Sequence, residues 1–281
     1  MKGEYPIRML CELLKVSHSG YYRWCQQRPS TRQREDAAIA AKVAAAHRAS
    51  RGTYGAPRIL VDLQESGTRT SKRRCARLMR EQGLQGKKKH RRKPRTTDSR
   101  HAKPVAENII SLRPDPTGPN QCWLTDITYI QTAEGWLYLA AILDLWSRRI
   151  VGWSCGATLH ASLVLAALHD ALKRRNPPKG LLHHSDRGSQ YVDDDYIKAL
   201  EAAGIERSMS RAGNCYDNAA MESFNGTLKK ERVRGRIYGT RHEAKADIFD
   251  YIEMFYNPKR RHSYLGNISP MKFEELKMNA G

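Results

Sequence analysis

The part of the chain that most constrains its fold begins near Pro119, where basic helical sequence gives way to apolar, β-rich sequence. Residues 121–130 alternate apolar and polar side chains, and a turn at 132–135 leads into an apolar run at 136–145. A third β-rich segment follows at 150–155. Strand-forming runs separated by short turns predict a three-stranded antiparallel meander.

Beyond the meander, helical and strand patterns alternate. They predict, in order, a helix at 162–175, a strand at 180–184, a helix at 193–203, a strand at 205–208 and a helix from 214. The order β-β-β-α-β-α-β-α is that of an RNase H-like fold. The predicted class is therefore α/β, with an RNase H-like domain preceded by small all-α units of helix-turn-helix type.

The helix after residue 214 combines an apolar face with one carboxylate. We expect it to begin at Asn214 or Asp217, whose side chains can cap free backbone N–H groups. An apolar residue recurs every fourth position at Ala220, Phe224 and Leu228. Glu222 lies about 200° around the helix from that stripe. Its own face carries amides and a lysine: Asn218, Asn225 and Lys229. This grouping suits a metal ligand held beside a phosphate backbone.

The charge of the chain favours a polyanionic partner. Its 281 residues include 49 Lys and Arg against 29 Asp and Glu, a formal net charge of +20. Nucleic acid is the commonest partner of such a chain, although a merely basic protein is the alternative. The six cysteines form no C-x-x-C pair, which argues against a disulfide framework or a cysteine zinc finger. Without a leader or a long apolar run, we expect a soluble intracellular protein that contacts no membrane.

The first third of the chain is predicted to be helical and to contact DNA. Residues 6–27 indicate two short helices, either a helix-turn-helix or a plain hairpin, and helices follow at 33–49, 54–65 and 71–82. A low-complexity basic run follows at 87–95, and its composition predicts a linker that binds phosphate groups. The basic residues expected to contact DNA are Lys72, Arg73, Arg74, Arg77, Lys87, Lys88, Lys89, Arg91 and Arg92, with Arg260 and Arg261 in a C-terminal basic tail.

These patterns divide the chain into five expected segments. The predicted divisions are an N-terminal helical (partial helix-turn-helix) segment at 1–50, a basic helical DNA-binding unit at 51–86, a basic linker at 87–117, the catalytic core at 118–235, and a C-terminal helix with its basic tail at 236–281.

Three carboxylates are expected to converge. Two-metal phosphoryl transfer needs carboxylates that hold two cations about 3.5–4 Å apart. Asp126 lies in the middle of the first predicted strand, and Asp186 closes the strand after the first long helix. In an RNase H-like sheet these strands are neighbours, and the Glu222 helix packs across them. Asp144, in the second strand, is flanked by apolar residues that favour a structural role.

The spacing of Asp186 and Glu222 is by itself weak evidence. The 35 residues between them also separate four other pairs in this chain: Asp98/Glu134, Asp170/Glu206, Asp195/Glu231 and Asp217/Glu253. A strand-end aspartate and a helix-borne glutamate with polar neighbours distinguish the candidate pair. His183 and His184 suggest a transition-metal site as an alternative. However, adjacent residues of a strand point to opposite faces, so these two side chains cannot both ligate one ion without distortion.

Residues from about 5 to 275 resemble the OrfB product of the third insertion-sequence family, DDE transposases related to retroviral integrases. The matching motifs are Tyr54-Gly-Ala-Pro-Arg58, 123–129, His184-Ser-Asp-Arg-Gly-Ser-Gln-Tyr191, 214–222 and Tyr256-Asn-Pro-Lys-Arg-Arg-His-Ser-Tyr-Leu265 with Ser269-Pro270. The resemblance implies that Asp126, Asp186 and Glu222 are the catalytic triad and hold two Mg²⁺ ions, for which Mn²⁺ can substitute. It also implies that Lys229 contacts the end of the element.

The resemblance further implies cleavage and strand transfer of insertion-sequence ends. The expected partners are terminal inverted repeats, target DNA, an upstream OrfA product (separate or fused) and further copies of the chain, at least a dimer on DNA. The expected location is the bacterial cytoplasm, at the nucleoid. A catalytically silent DNA-binding regulator and a nuclease that only cuts are the alternatives.

Overall fold

The computed structural model describes residues 5–26, 29–87, 106–210 and 217–279. The chain forms two compact units, residues 1–86 and 87–281. The expected boundaries at 50 and 235 fall inside these units, and the five-part division stays a prediction.

The N-terminal unit is helical, as expected. Its helices are α1 (Ile7–Leu13), α2 (His18–Cys25), α3 (Thr31–Ala49), α4 (Ala56–Glu65) and α5 (Lys72–Glu81). Ser30 and Gln33 form a capping box at the start of α3, and Ser71 caps α5. Helices α3, α4 and α5 pack on one another through buried apolar side chains, among them Val43, Ile59, Leu63, Cys75 and Leu78.

A five-stranded mixed sheet organises the second unit. Its strands are β1 (Cys122–Thr132), β2 (Gly135–Asp144), β3 (Ile150–Gly156), β4 (Leu182–Ser185) and β5 (Glu206–Met209). Their order across the sheet is β3-β2-β1-β4-β5. The first three strands pair antiparallel, whereas β4 pairs parallel with both β1 and β5. The predicted meander and the RNase H-like fold are confirmed, and β1 and β4 are neighbours as the convergence of the carboxylates requires.

Helices α6 (Ala161–Arg175) and α7 (Asp194–Ala202) contribute to the main core of this unit. Helix α6 packs very closely on β3 at Gly152, where a Cβ atom would lie 2.5 Å from the carbonyl oxygen of Ala167. Only glycine permits this approach. Trp123, Ile142, Leu168 and Tyr196 are among the side chains buried in the core.

The remaining elements are α8 (Ala219–Leu228), a π-helical turn at Lys229–Val233, α9 (Arg241–Tyr251), a second π-helical turn at Ile252–Tyr256, and α10 (Pro270–Met278). None of the helices in the described ranges is long and apolar enough to cross a membrane.

The start of α8 differs from the expected one. Asn214 lies outside the described residues, and Asn218 rather than Asp217 occupies the N-cap position. The Asn218 side chain makes no capping hydrogen bond there. Asp217 instead accepts a hydrogen bond from Nδ2 of Asn108, at 2.7 Å. A partner 109 residues away thus engages the carboxylate that was expected to cap the helix.

Candidate active site

Asp126 lies half-buried in the middle of β1, opposite Ala141 of β2. Its Oδ1 accepts a hydrogen bond from the backbone N–H of Ile127 at 2.8 Å. Its Oδ2 accepts one from Nδ2 of Asn225, also at 2.8 Å. The carboxylate is therefore oriented from both sides, once by its own strand and once by α8.

Burial and neighbouring negative charge raise the pKa of Asp126 to about 7. Burial is the largest cause, followed by the negative charge of Asp186 and, to a smaller extent, that of Glu222. The hydrogen bonds from Ile127 and Asn225 oppose the increase in pKa. Both other carboxylates thus lie within Coulombic range of Asp126, and their negative charge favours its protonated form.

Asp186 follows the last residue of β4, next to β1 in the sheet. Its Oδ1 accepts the backbone N–H of Gly188 at 2.9 Å. A Cβ at position 188 would lie 2.8 Å from Oε1 of Gln190 and 3.1 Å from Oδ1 of Asp186. Glycine therefore lets the loop turn tightly around the carboxylate.

Glu222 is an exposed residue in the first turn of α8. Two asparagines of the same region fasten this helix to β1. Asn218 donates to the carbonyl oxygen of Thr125 at 3.3 Å, and Asn225 donates to Asp126. The sequence places Asn225 on the same helix face as Glu222 but carries no signal for its role. In the structure, Asn225 connects two of the predicted metal ligands, because its side chain binds Asp126 and its backbone belongs to the helix of Glu222.

The donor set fits a divalent cation. Carboxylate and amide oxygens are hard ligands of the kind that Mg²⁺ and Mn²⁺ take. The buried Oδ1 atoms of Asn218 and Asn225 accept no hydrogen bond from any residue that the structure describes. Within those same residues, however, no three His, Cys, Asp or Glu side chains are set to hold a metal ion as they stand.

Lys229, the residue after α8, lies half-buried near Asp126. Burial lowers the pKa of Lys229, the negative charge of Asp126 raises it, and the positive charge of Arg234 lowers it further. The structure therefore brings the predicted DNA contact at Lys229 into Coulombic range of the predicted metal ligand Asp126.

The competing candidates have structural partners. Both ring nitrogens of His184 contact serine hydroxyls, Ser208 and Ser210, at 2.9 Å. Nε2 of His183 lies 2.7 Å from the hydroxyl of Tyr196. Burial lowers the pKa of both histidines, to about 3 for His183 and about 4 for His184.

Asp144 is also structural. It is fully buried at the far end of β2, and its carboxylate accepts hydrogen bonds from the backbone of Asn120, Trp146 and Ser147. This agrees with the role expected for it.

The predicted DNA-contacting residues occupy several environments. Lys72, Arg73 and Lys87 are exposed. Arg74 and Arg77 each bind Asp36 of α3, at 2.6 and 2.7 Å. The remaining linker residues of the prediction, Lys88, Lys89, Arg91 and Arg92, lie outside the described residues.

The two arginines predicted to contact DNA from the basic tail are buried. Arg260 is only 4% exposed and forms an ion pair with Glu231 at 2.7 Å. Arg261 is 9% exposed, and its Nη1 donates to the carbonyl oxygen of Asn267 at 2.7 Å. A guanidinium that is paired inside the fold is not available to a phosphate, so the structure gives Arg260 a different role from the expected one.

Family models match both units of the chain. An integrase core domain matches residues 116–215, a second integrase core model matches residues 222–278, and an HTH-like domain matches residues 33–93.

Two relatives match nearly the whole chain. A 31 kDa protein of the insertion element IS600 from Shigella sonnei is 47% identical over 266 residues, covering 95% of this chain and 97% of the relative. The transposase InsF of insertion sequence IS3A from Escherichia coli (strain K12) is 42% identical over 275 residues, covering 97% and 95%. Among solved structures, the HTLV-2 integrase catalytic core domain in complex with magnesium aligns with 15% identity and a TM-score of 0.44, over 56% of this chain and 98% of that one.

The sheet topology and the integrase-core matches define an enzyme of the polynucleotidyl-transferase class, with an HTH-like N-terminal unit. The chain belongs to the IS3 family of insertion-sequence transposases. The expected resemblance is thereby confirmed, and enzymes with this core use divalent metals.

Proposed function

We propose that this transposase cuts the ends of an insertion sequence and joins them to target DNA by a two-metal mechanism. In this proposal Asp126, Asp186 and Glu222 would hold two Mg²⁺ ions. The observation that carries it is the placement of the three carboxylates: Asp126 lies on β1, Asp186 follows the neighbouring strand β4, and Glu222 lies on α8, whose Asn225 binds Asp126 at 2.8 Å. Such a cluster costs free energy unless cations compensate it.

Bound divalent ions would activate the attacking oxygen and stabilise the leaving oxygen of an in-line displacement. The chain's own residues prepare that site. Asn225 and the N–H of Ile127 orient Asp126, and the N–H of Gly188 orients Asp186. Lys229 supplies positive charge where the phosphate backbone would lie, and the exposed Lys72, Arg73 and Lys87 add DNA contacts.

The partners in this proposal are the terminal inverted repeats, target DNA, another copy of the chain and an OrfA product. The setting is the bacterial cytoplasm, at the nucleoid. An in-frame reading frame directly upstream of the gene would support the OrfA partner, and its absence would count against it.

Replacing a single carboxylate tests the mechanism. We expect Asp126→Asn and Glu222→Gln to abolish Mg²⁺-dependent strand transfer while DNA binding persists. Glu201→Gln is the matched control, because Glu201 is also an exposed, helix-borne glutamate of the core. Strand transfer that survives either site variant with DNA binding intact would contradict the mechanism.

Pre-cut ends distinguish the alternatives. A transposase joins ends that carry free 3′-hydroxyl groups to target DNA, whereas a nuclease that only cuts leaves them unjoined. If the protein is a silent regulator, the wild-type chain binds the ends but neither cleaves nor joins them above background.

A further inference from the structure

A buried ion pair lies at the far end of the catalytic helix. The guanidinium of Arg260 binds the carboxylate of Glu231 in bidentate geometry, with Nε–Oε2 at 2.8 Å and Nη2–Oε1 at 2.7 Å. The hydroxyl of Tyr251 donates to Oε2 of Glu231 at 2.9 Å. The side chains of Glu231 and Arg260 are 0% and 5% exposed. Removing two such charges from water is costly, and apolar replacements are often equally stable, so stability alone does not account for the pair.

The contacts of Glu231 join the π-helical turn after α8 to residues on both sides of the second π-helical turn, Tyr251 before it and Arg260 after it. Glu231 lies in the π-helical turn that continues α8, nine residues after Glu222. Tyr251 ends α9 and directly precedes the second π-helical turn. A π-helical turn contains an extra residue, so it rotates the side chains of the following residues around the helix axis. Such turns are frequent at functional sites. Because α8 and its π-helical turn are continuous, a contact at Glu231 constrains the rotation of the whole segment that carries Glu222 and Lys229.

The same C-terminal segment also binds the sheet. The ring of Tyr256 meets the ring of Phe224 on α8 edge-on at 4.8 Å, and its hydroxyl donates to the carbonyl oxygen of Arg148 at 3.2 Å. The Asn257 side chain accepts the N–H of Ile150 and donates to the carbonyl oxygen of Ile150, both at 2.9 Å. The segment thus connects the first residue of β3 to the helix that carries Glu222.

We infer that Tyr256, Asn257 and Arg260 form a clamp that positions the catalytic helix. Asn257 anchors the clamp to the sheet, Tyr256 packs on the middle of α8, and Arg260 holds the π-helical turn through Glu231. At the next residue along the helix from Phe224, Asn225 holds α8 against Asp126. The clamp therefore sets the rotation of α8, so that Glu222 and Lys229 both face Asp126. This role rests on the proposed function, in which those residues act.

The core contains a matched control for the ion pair. Arg175 of α6 binds Glu274 of α10 in bidentate geometry at 2.8 and 3.0 Å, with side chains 12% and 5% exposed. This second pair does not involve α8. Arg175→Lys therefore weakens a bidentate ion pair elsewhere in the same unit, where Glu274 keeps its second arginine partner, Arg149, at 2.7 Å.

The test compares Arg260→Lys with Arg175→Lys. A lysine cannot reproduce the bidentate contact, and a small displacement of a reacting group lowers the rate steeply. We expect Arg260→Lys to lower kcat for strand transfer on the order of tenfold or more, with an unchanged KM for end DNA. The kcat of Arg175→Lys should stay near that of the wild type. Hydrogen exchange of the backbone amides should rise in residues 219–233 only in Arg260→Lys, without DNA or metal present.

A double variant separates positioning from stability. Glu231→Leu with Arg260→Met replaces the buried charges with apolar side chains, which should retain the melting temperature. A reduced kcat at an unchanged melting temperature supports the clamp, whereas an unchanged kcat overturns it. Equal kcat values and exchange patterns in the two lysine variants would overturn it as well. Since hydrogen exchange requires no catalysis, the positioning role can be judged even if the two-metal mechanism fails.

Discussion

At the scale of single residues, Asn225 links the two halves of the candidate site. Its Nδ2 binds Asp126 on β1, while its backbone belongs to the helix that carries Glu222. Its buried Oδ1 has no partner among the described residues. One amide therefore fixes the orientation of a carboxylate and keeps a buried oxygen without a hydrogen-bond partner among the described residues.

We predict that Asn225→Ala lowers the rate of strand transfer by about 10–100-fold, the usual effect of losing a residue that orients a metal ligand. Without the Asn225 hydrogen bond, the carboxylate of Asp126 loses both an orienting contact and an interaction that lowers its pKa. Single-turnover joining of pre-cut ends measures the effect. Ser223→Ala, an exposed change on the same helix, is the control. Equal rates in the two variants would refute this role.

His183 makes the stability of the core sensitive to acid. Burial, assisted by the nearby His184, lowers the pKa of His183 from about 6.5 to about 3. Between these two values the unfolded chain binds a proton that the folded chain does not. Stability therefore falls as the pH decreases through this window, by about 1.4 kcal/mol per pH unit for one such group.

We predict that His183→Gln reduces this acid sensitivity. Glutamine retains a polar side chain near Tyr196 but does not titrate. Urea unfolding at pH 7.5 and pH 5.0, followed by tryptophan fluorescence, should show a smaller loss of unfolding free energy in the variant, by about 2 kcal/mol. The exposed His242→Gln is the control and should behave as the wild type. Identical pH dependence in all three proteins would exclude His183 as the cause.

At the scale of secondary-structure elements, the basic residues of helix α5 differ in their surroundings, although the sequence presents them as one basic stretch. Arg74 and Arg77 bind Asp36, so they hold α5 against α3. These hydrogen bonds lower the pKa of Asp36, with Arg77 as the larger cause and Arg74 next. Lys72 and Arg73 are exposed and have no such acidic partner among the ion pairs of the described residues.

We predict that Lys72→Ala with Arg73→Ala weakens DNA binding and flattens its salt dependence, because each lost phosphate contact reduces counterion release. Arg74→Ala with Arg77→Ala should mainly lower the melting temperature of the N-terminal unit. Titration of end DNA at several salt concentrations, together with thermal melting, measures both effects. If the Arg74/Arg77 variant loses DNA affinity at a temperature where it remains folded, the division of α5 is wrong.

The elements themselves were predictable from local sequence patterns. Alternation and turn residues predicted the meander, and the regular succession of helices and strands placed Asp126 and Asp186 on neighbouring strands. Contacts with distant residues were not predictable in this way. The local sequence around Asp217 predicts a helix cap, but the side chain of Asp217 binds Asn108 instead. The local composition places Arg260 in a basic tail, but its guanidinium is paired with Glu231 inside the fold. A pairing across 29 or 109 residues leaves no local pattern.

At the scale of the whole molecule, charge and division of the chain point to assembly on DNA. A net charge of +20 favours binding to any DNA, with affinity that falls steeply as salt increases. An HTH-like unit and an integrase-core unit occur together in this chain. In the proposed function, the two ends of an element are joined to one target, and we expect each end to be handled by its own copy of the chain.

We predict that end DNA brings at least two copies of the chain together. Sedimentation of the protein with and without end DNA, at a salt concentration that suppresses nonspecific binding, should show a complex with two or more chains only with the ends present. DNA of the same length and unrelated sequence is the control, because it preserves the phosphate charge but lacks the terminal repeats. A complex that contains one chain and still joins two ends would contradict assembly as a requirement. Assembly on both DNAs alike would show that charge, rather than end recognition, drives the association.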